Sequence, residues 1–248
     1  MAQSAKLLAR YPTREKEPIV SNRNKLPLLS FDCYDTLVRY SESKASALEN
    51  IVRSNGRNND AVAMAQNEFE TQERRIQSGS FQFLNIVLRQ SLRKALAAVE
   101  LPCTDDNEKA IIDAVCSSPP FPDVSKVLAD LKLNFRLAIL SNSEPDIIRH
   151  NMIRIGVGMD AIVLASDAKC YKPAPGMFNA LLARINAKPK DVTHIAQSFY
   201  HDICPAKDHG FGQRIWINRY KREGDKTYLP DHELSNLTEL QKVLKYEN

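Results

Sequence analysis

Five short apolar runs, each leading directly into polar residues, constrain the fold of this chain more than any other feature. Leu-Pro-Leu-Leu-Ser-Phe (26–31) leads into Asp32, Arg136–Leu140 into Ser141 and Asn142, and Ala161–Ala165 into Ser166 and Asp167. Thr193–Ala196 leads into Gln197 and Ser198, and Arg214–Asn218 closes on Asn218 and Arg219. Between and after them, apolar residues recur at three- and four-residue spacing over Val124–Leu133, Pro145–Ile155, Pro175–Ile185, Asp202–His209 and Leu234–Leu244, which predicts helices. Strands alternating with helices predict an α/β fold built on a doubly wound parallel sheet. In such a sheet the ligand crevice lies beyond the carboxyl ends of the strands, so the polar residues converge on one place.

The first strand is followed by a different pattern. From Ala45 to Val52, Ala61 to Ile76, Phe81 to Val99 and Asp106 to Val115 the spacing is helical, broken at Asn-Gly-Arg-Asn-Asn (55–59) and Ser-Gly-Ser (78–80), and Pro119, Pro120 and Pro122 end the block. Residues 39–119 therefore read as a helical cap inserted into a core made of 26–38 and 120–248. Residues 1–25 are polar, contain Pro12 and Pro18, and read as a flexible extension.

Charge and composition exclude several classes. The formal +4 sits entirely in residues 1–25, where Lys6, Arg10, Arg14, Lys16, Arg23 and Lys25 meet only Glu15 and Glu17, so the body of the chain is balanced. A balanced body lacks the basic face that nucleic-acid binding requires, and no nucleic-acid partner is expected. No run approaches the roughly 20 apolar residues of a membrane span. Leu7-Leu8-Ala9 is too short for a secretory signal, and Glu15 and Glu17 argue against a mitochondrial presequence. Cys33, Cys103, Cys116, Cys170 and Cys204 are odd in number and scattered, which fits reduced thiols in a cytoplasmic protein. Met152, Met159 and Met177 read as packing residues, Trp216 as a residue at the sheet edge, and His201 as a solvent-facing loop residue.

Four segments carry chemistry. Phe31-Asp32-Cys33-Tyr34-Asp35-Thr36 puts a carboxylate at a strand tip, where it can act as a nucleophile or simply as a turn residue. Ser141-Asn142 puts a hydroxyl and an amide at a second strand end. Lys172 precedes a proline-opened helix, and Gln197-Ser198-Phe199-Tyr200-His201-Asp202 places another carboxylate after a strand. In this order the four segments resemble the haloacid dehalogenase superfamily of hydrolases over about residues 26–245. Asp-x-Tyr (32–34), Leu-Ala-Ile-Leu-Ser-Asn (137–142), Tyr-Lys-Pro-x-Pro (171–175) and Trp-Ile-Asn-Arg (216–219) resemble its 2-haloacid dehalogenase branch most.

That resemblance implies a Rossmann-like core and a set of roles. Asp32 is the nucleophile that forms a covalent ester, Lys172 neutralises charge around it, and Asp202 positions or activates the hydrolytic water. Thr36 holds the nucleophile loop, and Ser141 and Asn142 bind the anionic group of a small substrate. Tyr34, Gln197 and Ser198 complete the binding set. No cofactor is expected on the dehalogenase reading.

A magnesium-dependent phosphatase is the alternative, with Asp32 and Asp202 as metal ligands. Tyr34 stands where phosphatases of the superfamily carry a second Asp, Asp35 is one residue out of register, and Gln197 or Ser198 replaces the first acid of the last segment. The dehalogenase pattern has its own departures. Phe199 replaces an Asn, Phe178 replaces a Tyr, and a cap arginine has no clear counterpart, since Arg74 and Arg75 read as a solvated helix face. A protein that binds or processes a specialised metabolite is the third option. The residues leave the oligomeric state open, a homodimer included.

Overall fold

The computed structural model describes residues 26–244. The extension expected at residues 1–25 lies outside them. Six parallel strands form one sheet: β1 (Leu28–Phe31), β2 (Arg136–Ser141), β3 (Ala161–Leu164), β4 (Val192–Ala196), β5 (Gln213–Ile217) and β6 (His232–Leu234), in the order β3-β2-β1-β4-β5-β6. The order reverses between β1 and β4. That is the switch point where an open parallel sheet leaves a crevice at its carboxyl edge, and Asp32 and Gln197 follow the two strands that flank it.

Four helices form a block inserted after β1: α1 (Tyr40–Ser54), α2 (Asn59–Gln77), α3 (Leu84–Ala98) and α4 (Asp105–Cys116). The chain enters and leaves this block through paired backbone. Val38 and Pro120 form an antiparallel bridge, and the Arg39 N–H donates to the Pro119 carbonyl at 2.9 Å. The remaining helices are α5 (Val124–Leu131), α6 (Pro145–Ile155), α7 (Ala165–Ala168), α8 (Pro175–Ile185), α9 (Cys204–Asp208) and α10 (Leu240–Val243). Both α6 and α8 open on a proline, whose fixed φ suits the first turn and whose missing N–H costs nothing there.

Alternation along the strands divides the core. Leu29, Phe31, Leu137, Ile139, Ile195 and Ile215 pack on one face with Leu128 and Ile148. Leu28, Ala138 and Leu140 face the other way and join Phe178 and Leu181. This second cluster continues without a break into Leu48, Phe69, Leu88, Leu92 and Ile111 of the inserted helices.

Three expectations need correction. Leu234, expected to open the C-terminal helix, ends β6, and α10 is a single turn that follows a 3-10 turn at Leu237–Glu239. A three-residue edge strand has too few residues to reveal a period. Because β6 pairs beyond β5, Trp216 is not at the sheet edge but is buried one strand in. The helix expected over Asp202–His209 is split into a π-helical turn, Phe199–Ile203, and then α9.

Candidate active site

Asp32 leaves the end of β1 buried, and each of its carboxylate oxygens has a partner. Oδ1 accepts from Lys172 Nζ at 2.8 Å and Oδ2 from the Thr36 hydroxyl at 2.6 Å. The Thr36 oxygen in turn accepts the backbone N–H of Gln197 at 2.8 Å, which joins the loops after β1 and β4. The Gln197 carbonyl accepts the Trp216 indole N–H at 2.8 Å. Thr36 therefore aims the Asp32 carboxylate and does not line the cavity. A Thr36→Val variant keeps the shape but leaves two buried groups unpartnered. It should lose about 1–3 kcal/mol of stability in urea unfolding and about tenfold or more in kcat, with KM little changed.

The ammonium of Lys172 is fully committed. Its three N–H groups reach Asp32 Oδ1, the Leu140 carbonyl at 2.9 Å and Asp202 Oδ1 at 2.7 Å. Its backbone is clamped by Asn142, whose side-chain carbonyl accepts the Lys172 N–H at 2.6 Å while its amide donates to the Lys172 carbonyl at 3.2 Å. Asn142 borders the cavity, but its amide is occupied in positioning Lys172. Ser141, expected to bind substrate, is fully buried at the end of β2 and does not line the cavity.

Asp202 Oδ1 also meets Nε2 of His194 at 2.9 Å, while Oδ2 is buried with no protein partner. Burial would raise the Asp202 pKa, but Lys172 and His194 pull it below the ordinary carboxylate value. Burial pushes Asp32 up, against the opposing pull of Lys172. For Lys172, the two carboxylates outweigh burial and hold its pKa above the usual value.

These groups open on a cavity of about 520 Å³ between the strand ends and the inserted helices. Tyr34 lines it, stacked on Tyr40 with ring centroids 4.2 Å apart, and its hydroxyl is 2.6 Å from the Ser143 hydroxyl. Tyr40 donates to Glu73 at 2.7 Å, and Glu73 is also paired with Lys44. Ser198 and His201 are cavity residues joined to each other: Ser198 Oγ accepts the His201 N–H at 3.1 Å and lies 3.0 Å from His201 Nδ1. His201 is thus half-buried on the cavity wall, not a solvent-facing loop residue, and burial lowers its pKa. Arg74 stands at the cavity mouth, exposed and 3.6 Å from Glu70.

The positions that depart from the expected patterns have structural partners. Asp35 takes a left-handed φ of 60° and accepts from the Ser41 backbone and hydroxyl and from Tyr220. Phe199 packs edge-on to Trp216, with centroids 4.9 Å apart. Phe178 is buried against His209, Phe211 and His194. Two residues were missed at the sequence level. His194 reads as one residue of an apolar strand. Arg219 donates to the Thr36 carbonyl at 3.1 and 2.9 Å and pairs with Asp123 at 2.9 Å, which braces the loop after β1 from the end of β5.

The two aspartates offer few free oxygens to a magnesium ion in this arrangement. Magnesium takes an octahedral shell of oxygens, usually one or two carboxylates with waters and substrate oxygens completing it. Both Asp32 oxygens are engaged, the Lys172 ammonium lies between Asp32 and Asp202, and Gln197 and Ser198 are neutral, so of these two carboxylates Asp202 Oδ2 alone has no protein partner. Among the described residues no group of three or more His, Cys, Asp and Glu side chains is placed to hold a metal ion.

Residues 27–210 match the haloacid dehalogenase-like hydrolase family. The chain is 29% identical over 160 residues to (S)-2-haloacid dehalogenase 1 of Pseudomonas sp. (strain CBS-3), covering 62% of this chain and 69% of the relative. It is 26% identical over 126 residues to N-acylneuraminate-9-phosphatase of Mus musculus, covering 50% of this chain and 51% of that one. In fold it is similar to L-2-haloacid dehalogenase from Xanthobacter autotrophicus, with a TM-score of 0.76, 18% identity, and coverage of 88% of this chain and 98% of the other. With most of its length matched to the family and the strand-end residues assembled at the switch point, the chain belongs to the haloacid dehalogenase-like hydrolases.

Proposed function

We propose that the protein hydrolyses a carbon–halogen bond in a small 2-halo carboxylic acid, without metal, through a covalent ester on Asp32. The observation that carries this reading is the single ammonium of Lys172 shared by Asp32 and Asp202, with Asp202 Oδ2 left unpartnered. A lysine that fixes a carboxylate orients it for attack at carbon, where no proton need be given to the departing halide. Asp32 displaces halide from C2 and forms the ester. Water then attacks the ester carbonyl while Asp202 Oδ2 takes its proton, the acyl–oxygen bond breaks, Asp202 returns the proton to the departing alkoxide, and the 2-hydroxy acid leaves with Asp32 restored as a carboxylate. The helical block of residues 39–119 acts as the cap that closes the cavity over this chemistry.

A phosphatase is the second reading, because the cavity wall carries Lys44, Glu70, Glu73 and Arg74 and has room for a substrate larger than a three-carbon acid. One comparison separates the two. Halide release from (S)-2-chloropropionate and phosphate release from p-nitrophenyl phosphate are measured, each with magnesium and with chelator. Halide release that survives chelation is expected. Magnesium-dependent phosphate release without halide release would overturn the dehalogenase reading.

A further inference from the structure

We infer that His194 is a positioning residue for the hydrolytic half of the reaction, selecting which oxygen of Asp202 faces the substrate. The inference rests on the covalent-ester reading above. His194 lies in the middle of β4, fully buried, and directly opposite Ser30 in the parallel register with β1. Its Nδ1 is 3.1 Å from Ser30 Oγ and its Nε2 is 2.9 Å from Asp202 Oδ1. The ring is set edge-on between Phe178, at 6.1 Å and 73°, and Phe211, at 6.0 Å and 89°. It therefore has no room to turn, and the polar contacts at its two nitrogens fix it from both ends.

The consequence falls on Asp202. An ionised carboxylate only accepts hydrogen bonds, so Nε2 carries the proton that the pair shares. With His194 and Lys172 both donating to Oδ1, that oxygen is saturated and Oδ2 is left as the free acceptor on a cavity-lining residue. Without His194, one lysine would hold the carboxylate at a single point, and rotation about its terminal torsion would bring either oxygen toward Lys172. Ser30 lies in β1 two residues before Asp32, and His194 lies in β4 eight residues before Asp202. The register that delivers the nucleophile thus also sets the orientation of the base.

Because Asp202 acts in ester hydrolysis and Asp32 in ester formation, loss of His194 should affect one step and spare the other. His194→Phe and His194→Gln are compared with wild type by rapid quench with (S)-2-chloropropionate, and with p-nitrophenyl phosphate in magnesium, following the Asp32 adduct by mass spectrometry. In His194→Phe the adduct should form within about twofold of the wild-type rate but turn over about 10–100-fold more slowly, so it accumulates. Glutamine, which can return an N–H donor near the Nε2 position, should restore much of the loss. Equal slowing of both steps, or turnover unchanged in His194→Phe, would overturn the inference. If wild type forms no adduct on Asp32, the covalent reading fails separately. Proton–nitrogen correlation spectra of the wild-type protein then decide the geometry: a slowly exchanging Nε2–H on His194 supports the inference, and an Nε2 without a proton overturns it.

Discussion

Replacing Asp32 by Asn should abolish turnover, lowering kcat by about 10⁴-fold or more, because the side chain loses the nucleophilic oxygen on which both steps depend. The amide is nearly isosteric, and the Thr36 hydroxyl can still donate to its oxygen. The amide nitrogen cannot accept from Lys172 as a carboxylate does, so the ammonium would keep Asp202 Oδ1 and the Leu140 carbonyl as partners. Folding should therefore survive, and steady-state assays beside circular dichroism would separate lost chemistry from lost structure. Full turnover in the variant would sink the covalent mechanism for either substrate class. A pH profile of the wild type adds an independent check. Burial holds the Asp32 pKa above the ordinary 3.8, so protonation removes the nucleophile at a higher pH than usual. The acid limb of kcat/KM should accordingly have its midpoint above that value.

How much of this was legible in the sequence depends on how local each interaction is. The alternation of strands and helices is a local property, and helices such as Pro145–Ile155 and Pro175–Ile185 begin and end where the spacing and the opening prolines indicate. The proposed reacting set of Asp32, Lys172 and Asp202 came from four segments in order, and the fold brings both carboxylates onto the Lys172 nitrogen. The roles of their neighbours were harder to read. Asn142 and Ser141 look alike as polar residues at a strand end, yet one clamps the Lys172 backbone and the other is fully buried at the end of β2. Nothing in their spacing encodes that difference. His194 was hidden for a related reason: one polar residue in an apolar strand has no signature until cross-strand register puts Ser30 opposite it. Likewise, Arg219 is 183 residues from the Thr36 carbonyl it braces.

Lys172 is where the proposed catalysis and stability meet, and Lys172→Met should be the most disruptive single change outside Asp32. The side chain is buried together with both carboxylates, and methionine fills the space while donating nothing. Breaking a buried ion pair by removing one partner costs about 3–5 kcal/mol, because the other charge is left without compensation. Here two carboxylates share the loss. At about 2–4 °C per kcal/mol for a chain of this size, the melting temperature should fall by roughly 10 °C. The loss should also depend on pH. In the wild type, Lys172 and His194 hold Asp202 below its ordinary pKa, a contribution present above the unfolded value and lost as pH falls. Without the ammonium, burial dominates and both carboxylates should titrate above their unfolded values. The variant should then be least stable at neutral and alkaline pH and recover part of the difference in acid, where protonation removes the buried charge. Thermal unfolding across the pH range would test this, and a deficit independent of pH would contradict the geometry. Activity should fall by about 10²–10³-fold, the usual consequence of deleting one charged donor from a reacting group. Lys172→Arg should not restore it. Three acceptors converge on one nitrogen, a geometry that suits an ammonium with three donors and not the planar fork of a guanidinium.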